Sequence, residues 1–173
     1  MNYIYHGVPS PMIGTKLVPL NKMPRYMSEI HSLHLSKYKG REEILNRKVP
    51  LLDCLWNDVV QFVPFNPRKI FELQVELKLI SKVPDYKFFE INLDVVDAKK
   101  TVVFFKNRPG EENIIVKWID DIDFEQIQEI PQATINYFKS MIGAGEPPLN
   151  YQFVPHIVHK GTVEISNSKI ITL

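Results

Sequence analysis

The sequence contains a single cysteine, Cys54, among its 173 residues, so it cannot close a disulfide bond within itself. This scarcity excludes the cystine-stapled scaffolds of small secreted proteins and favours a reducing compartment. A chain of this length can bury a sufficient core without a disulfide or a metal. We therefore expect Cys54, which lies in the apolar run Leu51-Leu52-Asp53-Cys54-Leu55-Trp56, to be a buried core thiol.

An excess of charge of either sign is also lacking. The chain has 21 Lys and Arg against 20 Asp and Glu, a formal net charge of +1. This balance argues against a protein that coats polyanions, although a local basic patch remains compatible with it. The basic pairs Arg47-Lys48 and Lys99-Lys100 are isolated and do not alternate with aromatic residues, so the sequence does not support nucleic-acid binding.

Long apolar runs and established catalytic motifs are missing as well. No run approaches the ~18 apolar residues of a membrane-spanning helix, and the first seven residues do not resemble a secretory signal. We therefore expect no membrane partner and a cytoplasmic location. The nucleotide-binding, zinc-binding and serine-hydrolase signatures Gly-x-Gly-x-x-Gly, Walker A, His-Glu-x-x-His, Cys-x-x-Cys and Gly-x-Ser-x-Gly do not occur, which argues against the corresponding enzyme classes.

What the sequence does contain is a succession of short periodic segments. Hydrophobic residues make up 45% of the chain and charged residues 24%, as in globular proteins. Strands are predicted over residues 3–8, 59–63, 88–95, 101–106, 114–119, 151–158, 162–165 and 169–172, helices over 24–38, 41–48 and 124–141, and a loop over 107–110. We predict a single α+β domain over residues 1–173, mainly antiparallel sheet, with helices concentrated in the N-terminal third and one late helix.

Residues 67–80 fit two patterns. Asn66 and Pro67 favour the start of a helix, and apolar residues at 70, 73, 77 and 80 fit one helical face. Apolar residues at 71, 73, 75, 77 and 79 also alternate with polar ones, which is typical of a strand. We predict a short helix from Pro67 that gives way to a strand.

Two candidate ligand-binding segments lie in the first quarter of the chain. His6 ends the first predicted strand and precedes Gly7, where the missing Cβ lets a ligand approach the backbone. The alternative is a strand-terminal His followed by a turn Gly. The planar guanidinium of Arg41 suits a phosphate or carboxylate, and its alternative is an exposed Arg paired with a neighbouring glutamate.

The candidate carboxylates are Asp58 and Glu164. Asp58 belongs to Trp56-Asn57-Asp58, polar groups inside an apolar run that must either brace the structure or line a site. Glu164 alternates with apolar neighbours, so it faces solvent unless it lies in a cleft opposite His6.

Two histidine pairs have the spacing of metal ligands. His31 and His34 share a face of a predicted helix, but no third ligand is identifiable near them. His156 and His159 lie three apart on a predicted strand, which points them to opposite faces. We therefore predict no metal site.

The order of these elements resembles the ADP-ribosyltransferase superfold, most closely its DarT-like and RNA 2′-phosphotransferase-like branches. Two segments carry the resemblance: Tyr5-His6-Gly7 in the opening strand, and the strand followed directly by a helix in Val59-Val60-Gln61-Phe62-Val63-Pro64-Phe65-Asn66-Pro67-Arg68-Lys69-Ile70. The resemblance implies NAD as cofactor, no metal, and transfer of ADP-ribose to a macromolecular or nucleotide substrate.

The resemblance also implies roles for individual residues. His6 would bind the adenosine ribose and act as a catalytic residue, the backbone of Gly7 would bind the nicotinamide amide, and Arg41 the pyrophosphate. His156 is the fourth candidate for cofactor binding. Asp58 or Glu164 would stabilise an oxocarbenium-like state.

These families end with strands that bring in an acidic residue, whereas this chain has Pro155-His156-Ile157-Val158-His159-Lys160-Gly161 there. Two alternatives follow: the chain binds NAD without turning it over, or the site is rebuilt around His156 and His159. A third is a non-enzymatic interaction domain that associates with a partner or a second copy through a sheet edge.

Overall fold

Short strands separated by helices and turns make up the described part of the chain, which in this computed structural model comprises residues 2–106, 108–109 and 113–173. The strands there are β1 Tyr3–Gly7, β2 Lys16–Leu17, β3 Lys48–Val49, β4 Cys54–Leu55, β5 Val59–Phe62, β6 Lys87–Asn92, β7 Thr101–Lys106, β8 Ile114–Trp118, β9 His156–Lys160, β10 Val163–Glu164 and β11 Lys169–Thr172.

Three α-helices occur within the described residues: α1 Ser28–Ser36, α2 Arg68–Glu76 and α3 Gln132–Ser140. Much of the remaining chain forms 3₁₀ turns, at Leu20–Lys22, Arg25–Met27, Glu42–Asn46, Trp56–Asp58, Leu93–Val95, Ala98–Lys100, Ile119–Asp121 and Phe124–Ile127. None of the helices described is long and apolar enough to span a membrane.

Two antiparallel sheets hold the two ends of the chain together. The first has the strand order β1-β6-β11, and the second has the order β5-β9-β7-β8. The sheets meet where the backbones of Tyr5 and Val63 exchange two hydrogen bonds, of 2.9 and 3.0 Å. The opening strand therefore lies beside the second sheet and shares the first sheet with the closing strand.

The second sheet buries both of its faces, and strand alternation decides which side chains go to which face. On one face, Val103 and Ile157 pack with Ile4 of the first sheet. On the other face, Val102 and Phe104 pack with Trp56. A third cluster, around Phe138, fixes α2 and α3 against the first sheet.

The predicted α+β fold with mainly antiparallel sheets is confirmed. Strands β7 and β11 begin and end at the predicted residues, and the segments predicted at 3–8, 59–63 and 114–119 contain β1, β5 and β8. Helix α2 lies between the early helix and the late one. The predicted loop at 107–110 lies partly outside the described residues.

The strand predicted after Pro67 is wrong, because α2 occupies that segment and no strand follows before β6. Ile70, Phe71 and Gln74 are buried on one side of the helix, while Glu76 is exposed. The helix ends where Lys78 adopts a φ of 59° and the Leu79 N–H donates to the Gln74 carbonyl, a left-handed closure. Helical packing thus overrides the alternating pattern.

Other predicted segments are shorter than expected. The strand predicted over 151–158 begins only at His156, because residues 151–153 form a turn in which Phe153 has a φ of 65°. Pro155, which has no N–H to donate, comes directly before the strand. The helices predicted over 24–38 and 124–141 each divide into a 3₁₀ turn and an α-helix, and the helix predicted over 41–48 is a 3₁₀ turn alone.

A buried polar chain links β7 to β9. The Thr101 hydroxyl donates to the Asp97 carbonyl at 2.7 Å and lies 2.9 Å from His159 Nδ1. Because the single hydroxyl proton goes to Asp97, the His159 Nδ1–H donates to Thr101. Both side chains are almost fully buried.

We predict that Thr101→Val lowers the free energy of unfolding by about 1–3 kcal/mol, because the buried His159 N–H loses its partner. Chemical denaturation measures the change. Thr172→Val, on the exposed side of β11, is the control and should leave stability nearly unchanged. Equal effects of the two substitutions would contradict the assignment.

Candidate functional site

A cleft of about 1000 Å³ opens where β1, β5, β6, β7 and β9 meet residues 37–47 and 149–154. Gly7, Arg41 and His156, three of the four residues predicted to bind a cofactor, line it. We call this concavity the cleft. Residues that are far apart in the sequence thus meet there because the sheets bring both ends of the chain together.

The cleft carries an excess of positive charge. Its cations are Lys37, Arg41, Arg47, Lys87 and Lys106, and Glu43 is the carboxylate among the described residues that line it. Such a concentration of cations in a concavity attracts anionic ligands.

The Arg41 side chain is exposed, and a backbone carbonyl four residues earlier in the chain orients its guanidinium. Its Nη2 donates to the Lys37 carbonyl at 3.0 Å, which orients the guanidinium without neutralising it. The predicted alternative, pairing with a neighbouring glutamate, is not found among the described contacts. Glu42 instead accepts the Gly40 N–H at 2.9 Å.

Aromatic rings form much of the cleft wall. Trp56 packs edge-to-face against Phe104, with centroids 5.0 Å apart, and against His156 at 6.2 Å. Tyr86 is 54% exposed, which leaves its ring accessible at the cleft. The Tyr151 hydroxyl is buried and has no hydrogen-bond partner among the described residues.

His156 is a neutral side chain with a defined tautomer. Burial lowers the pKa of its imidazole, with a smaller lowering from the nearby Arg47 charge. Its Nδ1 lies 2.8 Å from the Val154 carbonyl oxygen. A carbonyl can only accept, so Nδ1 carries the proton and Nε2 is an acceptor.

His6 lies in a narrower pocket that adjoins the cleft. This inner pocket holds about 100 Å³ and shares Tyr38, Trp56 and Gln61 with the cleft. The His6 Nδ1 lies 2.7 Å from the Gln61 carbonyl oxygen, so by the same reasoning its Nε2 is an acceptor. Burial lowers the pKa of His6 to about 4.

The remainder of the inner pocket is mostly apolar. Met12, Met23 and Met27 are among its lining residues, and methionine adapts readily to ligands of irregular shape. Asn57 also lines it, and its side-chain oxygen is buried without a partner among the described residues. A buried acceptor of this kind suits a ligand that brings an N–H or O–H donor.

The two predicted carboxylates lie outside both concavities. The Asp58 oxygens accept from the Asn21 amide and from the Leu55 N–H, each at 2.9 Å. The Asn21 hydrogen bond is the main reason why the pKa of Asp58 is lowered. Asp58 thus braces the turn before β5, one of the two alternatives open in the sequence.

Glu164 is exposed on β10, opposite Lys16 of β2. Its Oε1 accepts the Ser166 N–H at 3.2 Å, and a hydrogen bond from Thr15 is the main cause of its lowered pKa. Because Val163 occupies the inward position of this short strand, Glu164 points outward. Glu164 therefore does not line the pocket that contains His6.

His156 and His159 face opposite sides of β9, as strand alternation requires. His156 lines the cleft, whereas His159 on the same strand lines a different pocket. On α1, His34 lines the inner pocket. No group of three His, Cys, Asp or Glu side chains is placed to hold a metal ion within residues 2–106, 108–109 and 113–173. Cys54 is only partly buried, at the edge of the Trp56 cluster.

Sequence reasoning missed several residues of the cleft. Tyr86 and Lys87 come just before the strand predicted over 88–95, and Lys106 ends the strand predicted over 101–106. Ligand-binding residues often occur at strand ends, but nothing in the sequence shows which strand ends meet. The sequence pattern predicts a strand at Tyr151, whereas the structure places Tyr151 in the turn that lines the cleft. The strand register that pairs Phe104 with His156 is the missing information.

Comparison of the chain with protein families, with curated proteins and with solved structures gives no match. The resemblance to ADP-ribosyltransferases therefore stays a prediction from the sequence.

We predict that acid destabilises the protein between pH 6.5 and about 4, and that His6 contributes to this loss. In that range the unfolded chain binds a proton on His6 and the folded chain does not, so stability falls as pH falls. The full effect of His6 is about 3 kcal/mol. Urea denaturation across this range should give a shallower pH dependence for His6→Gln than for wild type.

If His6→Gln keeps the wild-type pH dependence, the imidazole is not held neutral by burial.

Proposed function

We propose that the protein is ADP-ribosyltransferase-like and binds NAD in the cleft. The observation that carries the proposal is the convergence of Gly7, Arg41 and His156 in one concavity that also holds four further cations and several aromatic rings. NAD is the ligand that the sequence resemblance implies.

The charge of the cleft supports this ligand. NAD carries a pyrophosphate, and Arg and Lys side chains bind phosphate oxygens with charge-assisted hydrogen bonds. Arg41 has guanidinium donors beyond the one used for the Lys37 carbonyl. The proposal therefore assigns the pyrophosphate to Arg41 and the neighbouring Lys37.

The neutral groups of the site suit the ribose, adenine and nicotinamide parts of NAD. Nε2 of His6 and of His156 are acceptors, which suits ribose hydroxyl donors. Tyr86 offers an accessible ring on which a planar base can stack. The inner pocket, with apolar walls and the unpaired Asn57 oxygen, suits a ring that carries an amide.

We predict that Arg41→Ala weakens NAD binding about tenfold, because one charge-assisted contact to the pyrophosphate is lost. Isothermal titration calorimetry measures the affinity. Arg25→Ala is the matched control, since Arg25 is also an exposed arginine but does not line the cleft. Failure of the wild-type protein to bind NAD at millimolar concentration would falsify the proposal.

Transfer of ADP-ribose requires more than binding. The glycosidic C–N bond breaks, nicotinamide leaves with the bonding electron pair, and the cationic ribose is captured by a nucleophile that loses a proton. A carboxylate near the ribose stabilises that cation. Asp58 and Glu164 do not line the cleft, so the proposal assigns this role to Glu43, which does.

We predict that Glu43→Gln lowers the rate of nicotinamide release from NAD by 100-fold or more, on the order of the loss seen when a charge-stabilising group is removed. Asp58→Asn and Glu164→Gln should release nicotinamide at the wild-type rate. Chromatographic detection of nicotinamide measures this. If Glu43→Gln and the wild type release nicotinamide at equal rates, Glu43 does not have this role. If the wild type binds NAD but releases no nicotinamide, the function of the protein is limited to NAD binding.

The alternative, association through a sheet edge, has weaker support. Among the described strands, β8 and β11 are sheet edges that expose Ile115 and Ile170. Each strand also presents an exposed lysine, Lys117 or Lys169, of the kind that discourages edge-to-edge pairing.

A further inference from the structure

A second basic concavity lies at the C-terminal end of β9, whereas the cleft is lined by His156 at the other end of that strand. It holds about 520 Å³, and four of its lining residues are Lys22, Lys99, Lys100 and Lys160. No carboxylate is among its lining residues in the part of the chain that the structure describes. We call it the lysine pocket.

One lysine of this pocket is held in place without being neutralised. Lys160 Nζ donates to the Leu52 carbonyl at 2.7 Å and lies 3.5 Å from that of Asp53. Carbonyl oxygens carry no formal charge, so the ammonium keeps its full charge. Because its position is already set, little side-chain entropy is lost when it contacts an anion.

The turn that holds Lys160 adopts an uncommon backbone conformation. Leu51 has a φ of 69° and Asp53 a φ of 44°, in the left-handed region that a bulky residue such as leucine rarely occupies. Conformations of this kind persist where the surrounding structure requires them, and they concentrate at binding sites. Here the result is that two carbonyls converge on one cation.

Nearby carboxylates leave much of the positive charge uncompensated. Asp97 lies 3.6 Å from Lys100. Asp58 does not line the pocket, but the charges of Lys22 and Lys160 contribute to the lowering of its pKa, so it compensates part of their charge. Among the described residues, no carboxylate lies within ion-pair distance of Lys22 or Lys99.

The other lining groups suit a phosphorylated ligand. Gly161 has no Cβ, so an anion can approach its backbone, and the adjacent Thr162 is exposed with a hydroxyl donor. Trp118 is partly exposed in the same pocket and offers a ring for stacking. These neutral groups add hydrogen bonds and a flat apolar surface to the four cations.

We propose that the lysine pocket is a second ligand site, separate from the cleft, that binds a di- or triphosphate group. The size and the cation count of the pocket fit a polyphosphate chain better than a single phosphate. The proposal does not depend on NAD binding in the cleft.

Tripolyphosphate is the probe, and calorimetry together with tryptophan fluorescence is the measurement. The chain has two tryptophans: Trp56 lines the cleft and Trp118 lines the lysine pocket. The Lys37→Gln/Arg41→Gln variant removes the two cleft cations assigned to a pyrophosphate. In that background tripolyphosphate should still change the emission, and adding Trp118→Phe should abolish the change.

The Lys22→Gln/Lys99→Gln double variant should weaken tripolyphosphate binding about tenfold or more, because two charged contacts are lost. The control is Lys82→Gln/Lys139→Gln, which removes the same charge from exposed positions elsewhere and should change the affinity less than twofold. A Lys37→Gln/Arg41→Gln variant of the cleft should likewise keep tripolyphosphate binding at the lysine pocket.

Three outcomes overturn the proposal. The first is that the wild-type protein does not bind tripolyphosphate at millimolar concentration. The others are an equal loss of affinity in the lysine-pocket variant and its control, or a loss of affinity in the cleft variant alone. A parallel titration with ATP distinguishes the source of the phosphate chain. Tighter binding of ATP indicates a nucleotide whose base contacts Trp118, and tighter binding of tripolyphosphate indicates an inorganic polyphosphate. Either result supports the site.

Discussion

The contact between β1 and β5 is the constraint on which the rest of the structure depends. Two backbone hydrogen bonds join Tyr5 to Val63, and His6 adds a third contact to the Gln61 carbonyl at 2.7 Å. These contacts place the first strand against a sheet whose other members come from the second half of the chain. Without them the cleft would lose one wall, and Gly7 and His156 would not line the same concavity.

Burial determines the chemistry of the histidines. The imidazoles of His6 and His156 are desolvated, which lowers the pKa of each, and each uses Nδ1–H to satisfy a backbone carbonyl. The same arrangement, with a threonine hydroxyl as acceptor, holds His159 on the opposite face of β9. Three histidines that look alike in the sequence thus become neutral acceptors, and alternation along β9 places His156 and His159 on different faces of that strand.

Nine lysine and arginine side chains line the cleft and the lysine pocket, although the chain as a whole is nearly neutral. Five cations line the cleft and four line the lysine pocket. Glu43 is the one carboxylate among the described residues that line either concavity, and others, like Asp58, hold turns. Local concentration of charge, and not net charge, therefore sets what the surface attracts.

Local patterns predicted most of the strands. Thr101 to Lys106 and Lys169 to Thr172 have aromatic or β-branched residues between clear turn signals, and the observed strands coincide with the predictions. Prediction failed where a segment satisfied two patterns, as in α2. There the packing of Ile70 and Phe71 against the core decided for the helix.

The candidate site could likewise be predicted only in part from the sequence. The sequence by itself determined residue types suited to ligands, such as the guanidinium of Arg41 and the open backbone of Gly7. Only the tertiary structure decided that these two residues meet His156, that Asp58 and Glu164 lie elsewhere, and that Lys22 and Lys160 share a pocket. The physical reason is that residue chemistry is local, whereas convergence depends on strand pairing and register between segments more than a hundred residues apart.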